Sequence, residues 1–491
     1  MRKNLLALSI AAMVGGLSGA ANAAVINNAG TTATGLSINP QGVGHILTVP
    51  YFSTQGNNKT LLSITNTDTT NGKAVKLRFR GAANSDDIFD ITVYLSPGDV
   101  WTADVAADGD ISRLVTNDTS CTLPSAQDIK DLGGKFKTNR VQGNAAAQTR
   151  EGYVEILNTA NIPVNTAADS LYTAIKHVGG KAPCTAAVMD AQATDLAANG
   201  SDAAARGYAN PTGGLMANWI LVNVDGMASH SGEAVAVRAV NGAGANAAGN
   251  IVWFPQTTDA PTVGAANVNT LTADPLLQSA GFASEVANYD FPDLSTPYFA
   301  AAAVGAPEAQ ADALATQLAV RSVVNEYATS NGFSTDWVFS MPTRRYAVAL
   351  NYAATGAARL VTRDVAAPAL RPASPHFPRA NVSLNAAGTL ACVTPGTMRG
   401  FDREETTQST FVISPDSAMK LCGETSVLAF NNTGASVLGG LLARNNITTR
   451  GADGWLSINT VGAGAGLPII GFSALKANGA NLGGTWKHRA N

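Results

Sequence analysis

From Ala74 to Arg80, Val75, Leu77 and Phe79 alternate with Lys76, Arg78 and Arg80. That period of two is the signature of a half-buried strand, here with a basic polar face. Upstream, Leu62 and Ile64 alternate with Ser63 and Thr65, and Asn71-Gly72 supplies a turn that predicts a hairpin between the two runs. Downstream, Ile91, Val93 and Leu95 alternate with Thr92, Tyr94 and Ser96 until Pro97-Gly98 interrupts, and Val100 to Val105 resumes. Strands this short and this closely spaced cannot be linked by helical crossovers, so the chain is constrained to antiparallel sheet.

The same alternation recurs at Gly152 to Asn158, Trp219 to Val224, Ala234 to Val240, Asp336 to Met341, Ser426 to Phe430 and Gly454 to Asn459. Ala/Gly/Asn-rich stretches such as Asn241 to Asn250 and Thr258 to Asn269 read as long surface loops. Pro307 to Thr329 departs from the pattern. Leu314, Leu318, Val320, Val324 and Tyr327 fall at near-helical spacing behind Pro307 and Glu308, which predicts one amphipathic helix covering a sheet face. The expected fold class is mainly β: antiparallel β-sandwiches with long loop insertions and that single covering helix. The expected organisation is a signal peptide over 1–23, a β-rich region over 24–300, and a helix plus second β-rich region over 301–491 that completes the same sandwich or forms its own.

The start of the chain reads as an export signal. Met1-Arg2-Lys3-Asn4 is basic, Leu5 to Val14 is apolar, and Ala21-Asn22-Ala23 ends a run of small residues, the three parts of a secretory signal peptide. No later stretch reaches the roughly 18 uninterrupted apolar residues of a membrane-spanning helix. Only 14% of the 491 residues are charged, against about 25% in an average domain, so surface polarity must come from Ser, Thr, Asn and Gly. With a net charge of -3 and no Lys/Arg block, phosphate neutralisation and hence nucleic-acid binding are excluded. An outer-membrane barrel fits poorly, because aromatics are only 6% of residues and the strands are short. Cys121, Cys184, Cys392 and Cys422 allow three pairings, of which the sequential one, Cys121 with Cys184 and Cys392 with Cys422, is expected.

The search for chemistry returns candidates without a catalytic set. Asp86, Asp87, Asp108 and Asp110 lie near turns where oxygen ligands could gather around calcium, the one cofactor the sequence leaves open; exposed turn acids are the competing reading. His230, between Ser229 and Ser231, reads as part of a polar hairpin loop rather than a nucleophile-base pair. Asp402, Glu404 and Glu405 could supply carboxylates for glycoside hydrolysis, although neighbours on a strand face opposite ways. Trp101, Trp219, Trp253, Trp337, Trp455 and Trp486 are scattered and read as core residues; an exposed pair would instead suggest a sugar platform.

Several segments resemble a family of secreted proteobacterial cell-surface proteins, loosely surface-layer-like. They are Leu36-Ser37-Ile38-Asn39-Pro40, Val49-Pro50-Tyr51-Phe52, Tyr94 to Thr102, and Asn117-Asp118-Thr119-Ser120-Cys121. Asn325-Glu326-Tyr327, Thr335 to Val338, Pro342 to Arg345, Phe401 to Glu405, and Gly483 to Arg489 continue the resemblance through most of the chain. It implies one composite architecture and no catalytic residues.

The expected function is therefore an exported structural or adhesive protein of the cell envelope, self-associating, with envelope polysaccharide as a second partner, and not an enzyme. Its expected location is the cell surface or the periplasm of a Gram-negative bacterium. A secreted polysaccharide-active hydrolase and a ligand-binding protein are the alternatives from other classes.

Overall fold

The computed structural model describes residues 25–27, 29–139, 141–193, 201–253, 292–296, 298–299, 307–352, 354–366, 373–415, 417–430, 436–462, 464–477 and 482–490. The signal-peptide segment and the loop from Thr258 to Asn269 lie outside these residues. The described chain is mainly β, as the alternating runs require.

In the N-terminal half, one sheet has seven strands in the order Gly35–Asn39, Val235–Val240, Ile46–Ser53, Glu151–Ile162, Gly72–Gly81, Asp87–Leu95 and Cys121–Leu123. A second has five: Ala228–Glu233, Leu215–Asn223, Asn58–Asn66, Val100–Asp108 and Ile111–Val115. All their described pairings are antiparallel. The predicted Asn71-Gly72 hairpin does not form. Asn58–Asn66 lies in the five-stranded sheet and Gly72–Gly81 in the seven-stranded one, so the turn carries the chain from one layer to the other. Pro97-Gly98 does the same in reverse, and Val100–Asp108 pairs with Asn58–Asn66.

The C-terminal half repeats the two-layer plan. One sheet orders Thr407–Gln408, Met398–Asp402, Asp453–Asn459, Ser322–Ala328 and Arg489–Ala490. The other orders Val412–Ser414, Arg444–Thr448, Thr425–Phe430, Phe333–Ser340, Ile470–Ala477 and Leu482–Lys487, with one parallel pair between Thr425–Phe430 and Arg444–Thr448. No described strand pairing crosses between the halves. Side-chain packing does cross. Trp337, Phe339, Leu428 and Phe430 fill the C-terminal core, while Val338, Val427, Phe472 and Ala474 on the opposite face join the N-terminal core. There Trp219 meets Phe472 at 4.7 Å between ring centroids. Burial on both faces explains why Trp337-Val338-Phe339 and Val427-Leu428-Ala429-Phe430 are unbroken apolar runs.

The covering helix is present but shorter than predicted. It spans Pro307–Leu318 and packs Ala311, Leu314 and Leu318 on the outer face of the seven-stranded sheet, beside Leu36, Val237 and Ala239. Val324 and Tyr327 belong instead to the strand Ser322–Ala328, where Val323, Asn325 and Tyr327 point inward at a period of two. Short helices at Ala126–Asp131, Leu171–Ile175, Ala186–Ala193 and Ser201–Ala205 sit in the loop insertions. The disulfides join Cys121 to Cys184 and Cys392 to Cys422. Closing excursions of 63 and 30 residues, each can stabilise the fold by about 3 to 4 kcal/mol.

The largest departure from the sequence reading concerns Gly72–Gly81, which is buried along both faces. Its basic side chains meet carboxylates inside the protein. Lys73 pairs with Asp68, Lys76 with Asp90, and Arg78 with Asp87. Arg80 Nε lies 3.2 Å from Glu155 Oε1, and its Nη2 lies 3.8 Å from Asp293 Oδ2. Asp293 in turn accepts from Arg345 Nη1 at 2.7 Å. Glu424 accepts from Arg344 Nε at 2.6 Å and from the Arg345 backbone N–H at 2.7 Å. The network therefore extends from the N-terminal sheet into the turn at Thr343–Tyr346 of the C-terminal half. Burial pushes the Lys76 ammonium down to about 8 and raises the carboxyls of Glu155 and Glu424. Strand spacing is equally tight: a Cβ on Gly152 would lie 1.8 Å from the Arg80 carbonyl oxygen, so only glycine fits there.

Removing one member leaves its partners charged and buried, which typically costs about 3 to 5 kcal/mol. Arg80→Ala is expected to lose that much in urea unfolding. Arg113→Ala, at an exposed position, is expected to stay within about 0.5 kcal/mol of the parent.

Candidate functional site

A groove of about 560 Å³ opens on the surface of the C-terminal half. It is lined by Glu326, Tyr327, Arg403, Trp455, Trp486 and Arg489, among others. Strand register sets up one wall. Trp455 stands opposite Phe401 on one neighbouring strand and Glu326 on the other, so the three form a row across the outer face of the five-stranded sheet. The Phe401 and Trp455 rings stack with centroids 4.3 Å apart and planes 13° apart. The close approach of these strands needs Gly454, where a Cβ would fall 2.0 Å from the Phe401 carbonyl oxygen.

The other wall is a C-terminal strap. Leu482–Lys487 pairs with Ile470–Ala477 of the six-stranded sheet, and Arg489–Ala490 pairs with Val323 and Val324 of the five-stranded one. His488 makes the corner between the layers. Its ring stacks on Phe339, with centroids 5.1 Å apart and planes 26° apart. Nε2 lies 2.8 Å from the Val338 carbonyl and Nδ1 lies 3.1 Å from Asn325 Nδ2. This pattern suits a neutral ring that donates from Nε2 and accepts at Nδ1. Burial pushes its pKa down to about 3. The strap places Trp486 and Arg489 on the groove from either side of that anchor.

Trp455 is 39% exposed and Trp486 is 46% exposed. Trp101, Trp219 and Trp337 are buried as predicted, so the core reading fails for the two that share the groove. Nothing local in the sequence places Trp486 on the same groove as Trp455; the strap crossing between sheets does so.

Two of the groove's carboxylates, Asp402 and Asp453, are engaged by the protein itself. Asp402 Oδ1 accepts from the backbone N–H groups of Glu404 and Thr406, both at 2.9 Å, and so organises the turn. Glu404 and Glu405 are exposed beyond it. Asp453 Oδ1 accepts from the Thr329 and Ser330 backbone N–H groups at 3.0 and 3.1 Å, Oδ2 accepts from the Ser330 hydroxyl, and Arg403 lies at 3.4 Å. Desolvation raises its pKa, but the Ser330 and Thr329 hydrogen bonds with the Arg403 charge outweigh it and hold the carboxyl below the usual range. Asp402 and Asp453 thus act as local ties.

The remaining candidates lie elsewhere. Asp86 and Asp87 are not exposed turn acids: both are buried, Asp86 accepting from the Tyr352 hydroxyl at 2.6 Å and Asp87 pairing with Arg78. Asp108 lies 3.4 Å from Lys135, and Asp110 is in the exposed turn of the same hairpin. Among the described residues no group of three or more His, Cys, Asp or Glu gathers for a metal. His230 is not in a loop but in the strand Ala228–Glu233, buried, with Nδ1 3.2 Å from the Gly484 carbonyl. Sequence reading missed a polar chain in which His177 links Asp99 Oδ2, at 3.4 Å, to Thr119 Oγ1, at 3.3 Å. It ties the Cys121–Cys184 excursion to the Pro97-Gly98 corner. Among the described residues no helix is long and apolar enough to cross a membrane.

Comparison with protein-family models, curated proteins and solved structures finds no match.

The strap predicts a pH dependence. Unfolded His488 takes up a proton near pH 6.5, which the folded ring refuses until about 3, so its contribution is full above 6.5 and is lost as pH falls toward 3. Asp336, raised by burial to about 6, favours folding as pH falls and does so equally in a His488 variant. Wild type is therefore expected to hold a larger stability advantage over His488→Gln at pH 7.5 than at pH 4.5, measured by urea midpoints.

Proposed function

We propose that this is an exported structural or adhesive protein of the cell envelope that holds polysaccharide in the groove between Trp455 and Trp486. The observation that carries the reading is this pair of half-exposed tryptophans lining one open groove from different sheets. Indole faces present rigid apolar surface to the C–H faces of sugar rings, and the surrounding polar groups can meet hydroxyls. Phe401 backs one face of Trp455 and fixes its orientation, which lowers the entropy lost on binding. Asp402 and Asp453 are engaged in holding local turns, which suits a binding surface. Export is supported by the N-terminal sequence and by the two disulfides.

Self-association would use faces and loops more readily than strand edges. Gly134 O and Phe136 N bond the edge strand Ile111–Val115 at 2.9 Å each. Ser231 N on Ala228–Glu233 donates to Thr485 Oγ1 at 3.2 Å, and Ile38 N on Gly35–Asn39 donates to Gln317 Oε1 at 3.4 Å.

Affinity electrophoresis through gels containing envelope polysaccharide provides the test. Wild type is expected to be retarded. Trp455→Ala and Trp486→Ala are each expected to lose about 2 kcal/mol of binding, roughly thirtyfold, with unchanged melting temperature. Equal mobility of wild type and both variants in every gel would overturn the reading.

A further inference from the structure

Resting on that polysaccharide reading, we infer that the groove selects acidic polysaccharide, with Arg403 and Arg489 receiving the carboxylates of uronic acid units whose rings lie on Trp455 and Trp486. The inference comes from which charges in the groove are already engaged. Asp402 accepts two backbone N–H bonds at one oxygen. Asp453 accepts three hydrogen bonds as well as the Arg403 contact. Neutral N–H and O–H donors of the protein hold both carboxylates in place, so neither depends on an arginine for its position.

The two guanidinium groups stand differently. Arg403 is 74% exposed along its side chain, and its Asp453 contact, through Nη2, is 3.4 Å long. Arg489 is 64% exposed, and its contact with Glu326 is 4.0 Å. A guanidinium carries five N–H donors in a planar fork that matches a carboxylate in two parallel bonds. One long, solvated ion pair leaves most of that capacity available and contributes little by itself. Both side chains line the same groove as the two tryptophans, so a chain of acidic sugars can present a ring face to an indole and a carboxylate to an arginine.

Glu326 is the opposing element. Its side chain is 79% exposed on the groove, and among the described residues it is the one ion-pair partner of Arg489. An incoming carboxylate must displace it and bear its repulsion, so it sets a threshold that neutral ligands do not meet. Such a role gives Glu326→Gln the opposite sign from the arginine variants.

The test is affinity electrophoresis and titration calorimetry with polygalacturonate as the acidic probe and dextran and laminarin as neutral ones. Wild type is expected to bind polygalacturonate at least tenfold more tightly than either neutral glucan, with affinity falling as salt is raised. Arg403→Ala and Arg489→Ala are each expected to weaken polygalacturonate binding about tenfold and leave neutral glucans unaffected. Glu326→Gln is expected to strengthen polygalacturonate binding several-fold. All three positions are exposed, and matching thermal melts would show that the fold is intact. If a neutral glucan binds as tightly as polygalacturonate and the arginine variants change nothing while Trp455→Ala still weakens binding roughly thirtyfold, the acidic selectivity is wrong and the polysaccharide site stands. If no probe binds wild type, both fall together.

Discussion

The structure depends on a strand whose four basic side chains are all inside the protein. Lys73, Lys76, Arg78 and Arg80 occupy Gly72–Gly81 near the middle of the seven-stranded sheet, and none reaches solvent. A buried cation is tolerable only with an anion in contact. The anions come from several places: the adjacent strand supplies Asp87 and Asp90, the other neighbour supplies Glu155, and Asp293 arrives on a separate segment. Because Asp293 also holds Arg345, and Arg345 shares Glu424 with Arg344, neutralising this strand brings the C-terminal turn to the N-terminal sheet. Apolar contacts such as Trp219 on Phe472 add area to the junction, while the charge network restricts how the halves can fit.

Much of the strand content was legible because alternation is a local property. Which sheet a strand joins is not local. Asn71-Gly72 has the composition of a hairpin turn, yet the flanking runs both have burial to satisfy in different layers, so the turn bridges layers instead. The basic alternation in Lys76, Arg78 and Arg80 looked like a solvated face because no window around it contains Glu155, Asp293 or Arg345. Near-helical spacing extended the predicted helix past Leu318, since Val320, Val324 and Tyr327 satisfy that spacing by coincidence while Val323, Asn325 and Tyr327 satisfy the strand's.

The groove follows the same rule at smaller scale. Trp455 and Glu326 are 129 positions apart but directly opposite in register, and Trp486 reaches them only because His488 turns the chain from one sheet to the other. A histidine there supplies a flat ring that stacks on Phe339 and one N–H for the Val338 carbonyl, demands that few other side chains could meet together. Sequence could name the aromatics and the acids of this region. It could not show that Asp402 and Asp453 were tied into local turns while Trp455 and Trp486 stayed half-exposed.

The covered strand edges bear on how copies of this chain can coexist at high density. A bare edge invites another chain to extend the sheet, and such growth has no natural end. With the edge of Ile111–Val115 bonded by the Gly134–Phe136 segment and that of Ala228–Glu233 met by the C-terminal strap, the N-terminal half offers neighbours finished borders there. Crowded copies would then meet through faces and loops, where contacts can close, rather than through sheet extension, which cannot.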